Sequence, residues 1–260
     1  PGPTGGAGSR WSKSTMQTDF ARALRLFPRR RILLPLLVVT VTARAAESEV
    51  PAELAAALQV FRSDAPRGWS FTQTTSAEGK STVERSDATR PEFERWSLLQ
   101  KDGRPPTPDE TREYHVGRSR RSRGGTAPKL LEQLDLSDLA RISDDDTRAT
   151  FRCRLKPGED GDQTATYLRA TVVVHKPTHT IESVELRSME PFRPTAGVKI
   201  AEMRTLLTYS LPSEETPSLP QRVETRVRGT AFWVKSLDAE LVVVFSDYAV
   251  ATKKNRPTGN

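Results

Sequence analysis

The feature that most constrains this fold is a regular alternation of residue types in the last third of the chain. From 222 to 231, every second residue is small or apolar, and arginines and one glutamate fill most of the positions between them. Successive side chains of a β-strand point to opposite faces of the sheet, so this pattern indicates an antiparallel strand with one buried and one solvated face. Residues 198–211 and 239–248 alternate similarly and predict its two neighbours.

Alternation elsewhere predicts further strands, which together indicate an α+β fold with a strongly curved antiparallel sheet. We expect about nine strands in all, because six more segments have strand-like patterns or strand-like composition. These segments are 68–75, 80–87, 92–100, 147–156, 166–175 and 180–188. Residues 189–197 contain Pro191 and Pro194, and we expect these prolines to keep the segment out of regular strand pairing.

Three segments predict helices around which the sheet would wrap. Residues 51–61 are rich in strong helix formers, and their large apolar side chains fall on one helical face. Thr107 and Glu110 have the spacing of a capping box, which predicts a second helix ending near Gly117. Residues 128–139 carry leucines at roughly helical spacing, so they predict a short third helix or an ordered turn.

The first 45 residues have the composition of an export signal. Three consecutive arginines precede a ten-residue apolar run at 32–41, and a small-x-small cleavage pattern ends at Ala45. We place the start at Met16 and cleavage after Ala45, which leaves 46–250 as a single domain and 251–260 as a frayed tail. The alternatives are an uncleaved anchor, a twin-arginine signal and a mitochondrial presequence. A membrane span needs about 20 apolar residues, so the short run and the Ala-x-Ala ending favour secretion.

Removing the leader changes the electrostatic interpretation of the chain. The whole chain has 40 Lys+Arg and 33 Asp+Glu, a formal net charge of +7. Eight of these basic residues and one of the acidic residues lie in 1–45, which leaves 32 of each in the remainder. A chain without net charge has no general electrostatic attraction to nucleic acid, so we expect no nucleic-acid partner.

The cysteine content indicates a protein without an internal disulfide. Cys153 is the single cysteine of the sequence, and it alternates with Phe151 and Leu155, whereas Arg152 and Arg154 occupy the intervening positions. We therefore expect the thiol inside the sheet as a small core residue, not as a nucleophile. A soluble monomer in an exported compartment, most simply the bacterial periplasm, is the expectation.

The sequence offers no positive case for catalysis or for a cofactor. It contains no Gly-x-Ser-x-Gly elbow, phosphate loop or dinucleotide fingerprint. His175 and His179 lie four residues apart, but Pro177 between them indicates a solvated hairpin turn instead of a metal site. The acidic runs at 144–146 and 159–162 lack the spacing of a calcium loop. We expect a protein that is not an enzyme and holds no cofactor and no metal.

The concave face of such a sheet is the candidate site. A curved sheet rich in large apolar side chains encloses either an apolar pocket or a core filled by the helices. The candidate ligand-binding residues on this apolar face are Trp69, Phe71, Phe93, Trp96, Phe151 and Phe245.

A cluster of arginines follows the predicted second helix. Arg118, Arg120, Arg121 and Arg123 are candidates for contact with an anionic headgroup or an acidic partner. An exposed, solvated loop is the alternative interpretation of the same cluster.

The order of elements resembles a known family. An export signal, a helix, three strands, a helical insertion and a long meander ending at 245–248 are similar to the LolA-like half-barrel proteins of the bacterial periplasm. That group includes lipoprotein carriers and lipid-sensing domains of envelope-stress regulators. Four short motifs resemble an exported branch of the group: Trp69-Ser70-Phe71, Gly103-Arg104-Pro105-Pro106-Thr107, Pro191-Phe192 and Gly229-Thr230-Ala231-Phe232.

The resemblance covers most of residues 50–248 and implies a half-barrel that binds lipid. We therefore expect an exported periplasmic binding protein whose concave apolar face holds a lipid acyl chain or a lipidated protein, with transient contact to a membrane surface. The alternative is a non-catalytic structural or interaction protein of the cell envelope with a filled core. Unfilled volume lined by apolar side chains distinguishes the first possibility from the second.

Overall fold

Alternating segments of the sequence form strands along most of the chain. The structure is a computed structural model that describes residues 50–63, 65–121, 130–157, 164–232 and 235–251, with backbone only at 119–121 and 130–131. These residues belong to one compact unit, Ala45–Asn260. The predicted export signal and its cleavage site lie outside the described residues. In the part described, no helix is both long and apolar enough to cross a membrane.

The described residues form three α-helices, one 3-10 helix and twelve strands. The helices are α1 Ala52–Val60, α2 Pro108–Arg121 and α3 Leu130–Gln133, and the 3-10 helix is Thr164–Tyr167. The strands are β1 Trp69–Ala77, β2 Lys80–Ser86, β3 Trp96–Lys101, β4 Leu134–Asp144, β5 Arg148–Leu155, β6 Leu168–His175, β7 Thr180–Ser188, β8 Phe192–Thr195, β9 Val198–Tyr209, β10 Pro220–Ala231, β11 Lys235–Ser236 and β12 Ala239–Val250.

All twelve strands belong to one open, curved antiparallel sheet. Its order is β3-β2-β1-β12-β10-β9-β7-β6-β5-β4, with β8 added to β9 and β11 added to β10. Strands β1 to β3 form one meander, β4 to β7 form a second, and β9, β10 and β12 fill the space between them. The predicted meander at 198–248 is therefore the centre of the sheet. The predicted α+β class is confirmed at this level.

The hydrophobic core lies between α1 and strands β5, β6, β7 and β9. Leu54, Ala57 and Leu58 of α1 are buried, and α1 contacts β6 and β7. In β5 the predicted alternation is confirmed: Cys153 is 2% exposed, whereas Arg152 is exposed to solvent. Burial raises the pKa of the Cys153 thiol to about 11. The predicted interior position of this cysteine is confirmed.

The predicted strand count was too low because it omits three strands. In 128–139 only Leu130–Gln133 is helical, and β4 begins at Leu134, which pairs with Leu155 at the edge of the sheet. The expectation that 189–197 excludes pairing was wrong for Phe192–Thr195. Only the two ends of this strand pair with β9, so Pro194 between them interrupts no ladder hydrogen bond. The third, β11, has two residues.

Several element boundaries also differ from the predictions. The second helix continues four residues beyond Gly117, to Arg121. Strand β3 begins at Trp96 and not at Glu92, because Glu94 N donates a hydrogen bond to Pro91 O and closes a turn there. Strand β6 begins at Leu168, after the 3-10 helix. At β3 and β6, a turn and a 3-10 helix take residues that the sequence pattern assigned to a strand.

Candidate functional site

The core face of the sheet is closed at one end and partly open in the middle. One row of directly paired residues crosses this face from β5 to β1: Cys153, Ala170, Leu186, Thr205, Thr225, Leu241 and Ala77. Cys153 and Ala170, which belong to the core cluster with α1, are fully buried, whereas the remaining five are only half-buried. The sheet therefore keeps a partly solvent-accessible strip beyond the closed core.

We call the half-buried residues in the middle of this face the open strip. They lie on β7, β9, β10 and β12 and comprise Leu186, Met203, Thr205, Thr225, Val227 and Leu241. Four of the six are apolar, and the two threonine hydroxyl groups lie 3.2 Å apart. Leu186 and Met203 also pack against the buried core. The open strip is thus continuous with the core on one side.

The same face of the sheet also carries a cluster of aromatic side chains on β1, β3 and β12, which begins at Phe245, four residues along β12 from Leu241 of the open strip. The aromatic cluster consists of Trp69, Phe71, Trp96, Phe245 and Tyr248. Phe71 lies at its centre, with ring centroids 5.5 Å from Trp96, 5.8 Å from Phe245 and 5.6 Å from Tyr248. Trp69 meets Tyr248 edge to face at 6.4 Å. Phe71 is buried, whereas the other four are half-buried, so each of these four keeps some surface accessible to solvent.

The structure brings together four of the six predicted apolar site residues. Trp69, Phe71, Trp96 and Phe245 belong to the aromatic cluster. Phe93 lies in the turn before β3 with 79% of its surface exposed, and Phe151 is 1% exposed in the core under α1. These two residues are therefore not part of one continuous site with the others.

A small polar group adjoins the aromatic cluster and includes the first of the predicted arginines. The guanidinium carbon of Arg118, on α2, lies 3.8 Å from the centroid of the Trp96 ring, within the range of a cation–π contact. Its Nη2 atom lies 3.9 Å from Oε1 of Glu84, on β2. Gln73 Nε2 donates a hydrogen bond of 3.2 Å to Glu84 Oε2. The Arg118 charge is thus held between an aromatic ring and a carboxylate.

Tyr114 belongs to the same polar group. Burial raises the pKa of its hydroxyl group well above the ordinary value, and the neighbouring Glu84 carboxylate adds to this shift. Tyr114 lies one helical turn before Arg118, so both side chains leave the same face of α2. This face of α2 therefore contributes both Tyr114 and Arg118 to the polar group.

The start of α2 is fixed by the predicted capping box. Thr107 N donates to Glu110 Oε2 at 2.9 Å, and Glu110 N donates to Thr107 Oγ1 at 3.3 Å. The Arg104 guanidinium and the Thr107 backbone, with a contribution from Lys101, hold the pKa of the Glu110 carboxyl far below its usual range. These contacts tie α2 to the end of β3, and so position Tyr114 and Arg118.

Arg120, Arg121 and Arg123 have side chains outside the described residues, so their role stays a prediction. Glu84, Tyr114 and Tyr248 were missed by the sequence reasoning. Tyr248 follows Asp247, which has a positive φ of 52° beside an irregularity in the pairing of β1 with β12. This local bend brings Tyr248 to the same cluster as Phe245, against the strict alternation of a regular strand. No sequence pattern marks Glu84, because every residue of β2 except Val83 is polar.

The opposite face of the sheet is covered with ion pairs. Arg204 pairs with Glu185 at 2.5 Å, Arg226 with Glu240 at 3.2 Å, and Arg187 with Glu202 at 3.6 Å. These charged groups line a surface depression of about 320 Å³. Alternating signs leave this face without a dominant charge, as expected for a solvated face.

The histidines of the predicted hairpin turn lie outside this site. His175 Nδ1 is 2.7 Å from Thr178 Oγ1, within the turn between β6 and β7. Within the described ranges, no group of three or more His, Cys, Asp or Glu side chains is arranged to hold a metal ion.

Comparisons of the chain with protein-family models, with curated proteins and with solved structures found no match in any of the three. The resemblance to LolA-like half-barrels therefore stays a prediction.

Proposed function

We propose that this protein is an exported, periplasmic half-barrel of the LolA-like kind that holds a lipid acyl chain or a lipidated protein on its core face. The acyl chain would lie along the open strip, with one end against the aromatic cluster. The protein would act by binding, without catalysis and as a monomer that contacts membranes transiently.

One observation carries this proposal: the paired row of the core face continues beyond the closed core. Cys153 and Ala170 belong to the core cluster with α1 and are fully buried, whereas Leu186 and Leu241 in the same row keep accessible surface. A ligand that lay over Leu186 and Leu241 would bury its own apolar surface and that of the sheet. Such burial is the main source of affinity for an acyl chain.

The expected affinity follows from the length of chain that can be buried. Each methylene group removed from water contributes about 0.8 kcal/mol, so about ten groups contribute about 8 kcal/mol before the cost of immobilisation. This range corresponds to micromolar binding when immobilisation costs little. Chain length would then affect affinity more than the identity of the headgroup.

A structural or interaction protein of the cell envelope is the second candidate. It is favoured by the close packing of the aromatic cluster, in which Phe71 is buried and its ring lies within 6 Å of three others. In this case the aromatic cluster is a second core that strengthens the end of the sheet remote from α1.

Displacement of a fluorescent fatty acid tests the proposal on two adjacent residues of β12. Leu241 lies in the open strip, and Val242 is a half-buried residue on the opposite face. We expect Leu241→Asp to lower the affinity for the fatty acid at least about tenfold, because a carboxylate would be placed under the acyl chain. Val242→Asp introduces the same charge one residue away and is expected to keep the affinity.

Circular dichroism and urea unfolding would establish that both variants remain folded. Equal affinity of the two folded variants, or the absence of saturable binding to the native protein, would replace the lipid-binding proposal with the structural one.

A further inference from the structure

The end of β10 presents a phenylalanine that the fold holds at the surface. Phe232 directly follows β10, and 68% of its surface is exposed. Its backbone N–H donates a hydrogen bond of 2.6 Å to Gly197 O, and its φ of 49° is rare for a bulky side chain. A Cβ atom at Gly197 would lie only 3.0 Å from two carbons of the Phe232 ring. The ring therefore lies over this glycine and does not enter the core.

The strands that carry Phe232 are firmly packed beneath it. Phe192, Ile200 and Ala231 are buried where β8, β9 and β10 pair. Tyr167 stacks on Phe192 with 5.1 Å between the ring centroids. The exposed ring of Phe232 is thus attached to a well-packed part of the sheet.

Four basic side chains lie on the strand ends around Phe232. All four are exposed, and none forms an ion pair with another described residue. They are Arg193 of β8, Lys199 of β9, Arg228 of β10 and Lys235 of β11. We call these four residues and Phe232 the tip. Residues 233 and 234 lie outside the described residues and are not counted in it.

The segments that form the tip have an excess of positive charge. Residues 187–202 and 228–238 contain five basic and three acidic residues, which leaves two positive charges in excess. Of the three carboxylates, Glu202 is paired with Arg187 at 3.6 Å. The chain after residue 45, in contrast, has equal numbers of basic and acidic residues. The positive charge at the tip is therefore a local feature.

An exposed aromatic ring among basic side chains fits the chemistry of an anionic membrane surface. The ring can enter the boundary between headgroups and acyl chains, where aromatic side chains are favoured. Basic side chains beside it gain from the negative charge of the headgroups. A stable protein interface buries about 800 Å² on each partner, which is far more than one ring provides. These properties favour a lipid surface over a protein as the partner of the tip.

The tip also lies near one end of the open strip. Val227 of the open strip precedes Phe232 by five residues along β10, and it pairs with Met203, another residue of the open strip. Five residues of a strand span about 16 Å. Contact of the tip with a membrane would therefore bring this end of the open strip close to the lipid.

We propose that the tip docks this protein on an anionic lipid surface, with Phe232 in the headgroup boundary and the four basic residues against lipid phosphates. The docking rests on the proposed function for its purpose, because it places the membrane contact named there. The contact itself needs no acyl chain on the core face.

Co-sedimentation with lipid vesicles tests the docking. One kind of vesicle contains equal parts of phosphatidylglycerol and phosphatidylcholine, and the other contains phosphatidylcholine alone. We expect the native protein to bind the anionic vesicles at least about tenfold more tightly, and to lose most of this preference at high salt, because salt screens surface charges. Every variant carries the same residues 1–45, so a difference between variants cannot come from that segment.

Substitution of the exposed ring tests its insertion. Phe232→Ser should lower the affinity for anionic vesicles at least about tenfold, because the serine side chain has almost no apolar surface to bury. Phe93→Ser is the matched control. Phe93 is also highly exposed, but it lies before β3, at the opposite end of the strands, so this variant should keep the native affinity.

A charge reversal tests the basic residues of the tip. Lys199→Glu should lower the affinity for anionic vesicles at least about fivefold, because it replaces an attraction to the headgroups with a repulsion. Arg67→Glu makes the same change in charge at an exposed position two residues before β1, at the opposite end of the strands. It should lower the affinity by less than about twofold.

Displacement of a fluorescent fatty acid in the same variants separates docking from acyl-chain binding. We expect Phe232→Ser and Lys199→Glu to bind the fatty acid as the native protein does. If they do, but the native protein does not prefer anionic vesicles, or Phe232→Ser and Phe93→Ser bind these vesicles equally, the docking is overturned and the proposed function stands. A native protein that binds neither kind of vesicle would leave the tip to a protein partner.

The opposite result is also distinguishable. If the native protein binds no fatty acid but prefers anionic vesicles, and Phe232→Ser loses this preference, the proposed function fails and the docking stands. Should Phe232→Ser not fold, the comparison of Lys199→Glu with Arg67→Glu decides, and equal binding of these two variants would overturn the docking.

Discussion

Each of the two ends of the core face holds an arginine, a glutamate and an aromatic ring in contact. The ends differ in whether the helix or the sheet contributes the arginine. Under α1, Arg141 of the sheet lies over Phe151, with the guanidinium carbon 5.1 Å from the ring centroid, and pairs with Glu53 of the helix. At the aromatic end, the arginine comes from α2 and its glutamate partner, Glu84, comes from the sheet. Each arginine ties a helix to the sheet across an aromatic ring.

The difference lies in how far each helix covers the sheet. The α1 side chains form a closed core with the sheet, whereas α2 meets the sheet near Trp96 through the long polar side chain of Arg118. Long side chains can reach the sheet without excluding the intervening space from a ligand. The comparison shows how one sheet face serves as a core at one end and as a candidate binding surface at the other.

The largest expected effect distinguishes Phe151 from Phe93. Phe151→Ala removes a fully buried ring from the closed end and should lower the free energy of unfolding by about 3–5 kcal/mol. Phe93→Ala removes the same ring from an exposed turn and should change it by less than about 0.5 kcal/mol. Urea unfolding followed by circular dichroism measures both. Comparable losses in the two variants would show that the turn at 91–94 is part of a core.

A leucine pair sharpens the comparison between the closed end and the open strip. Leu54→Ala, in α1, should cost about 2–5 kcal/mol, because it leaves a cavity in a closed core. Leu241→Ala removes the same atoms from a half-buried position and should cost about 1 kcal/mol, since part of the side chain is already in water. A cost for Leu241→Ala equal to that for Leu54→Ala would indicate that the open strip is closed in solution.

The smallest expected effect concerns the attachment of α2. Thr107→Ala removes the cap and should destabilise the start of α2 by about 1 kcal/mol, detected as faster amide hydrogen exchange in that helix. Thr111→Ala, one turn further along, removes a hydroxyl group that bonds back to Thr107 O and serves as the control. Equal exchange in the two variants would contradict the role of the cap.

The same cap should weaken at low pH. Because the pKa of the Glu110 carboxyl is lowered in the folded protein, its contribution is fully present above the ordinary carboxyl pKa of about 4.3 and is lost as the pH falls toward the lowered value. The protection of the α2 amides should therefore decrease below about pH 4 in the native protein and change less in Glu110→Gln, which has no carboxyl group to titrate.

The predictable part of the fold comes from residues that carry a local signal. Cys153 and its neighbours alternate with arginines, and Thr107 with Glu110 forms a capping box. The buried position of Cys153 and the start of α2 therefore follow from residues that are close in the sequence. Strand β4 could not be predicted, because its leucines fit a helix as well as a strand. Only the pairing of this segment with β5 makes it a strand. Local propensity is overridden by tertiary contacts in that segment.

The aromatic part of the candidate site was also predictable, whereas its polar part was not. Trp69, Phe71, Trp96 and Phe245 were identified by residue type on segments with a strand pattern. Glu84 meets Gln73 across a strand pair and Arg118 from a separate helix, and such contacts depend on register and on helix position. Phe93 was included because the turn that ends at Glu94 leaves no pattern in the sequence.

The pairing of β1 with β12 has a consequence for the order in which the protein is made. Strands β1 to β3 leave the ribosome first, yet they join the rest of the sheet only through a strand that lies some 160 residues later. Until β12 is synthesised, the first meander is a three-stranded piece with an unpaired edge at β1, a state prone to association with other chains. The second meander and α1 can already form their core before that time. The aromatic end is therefore completed last.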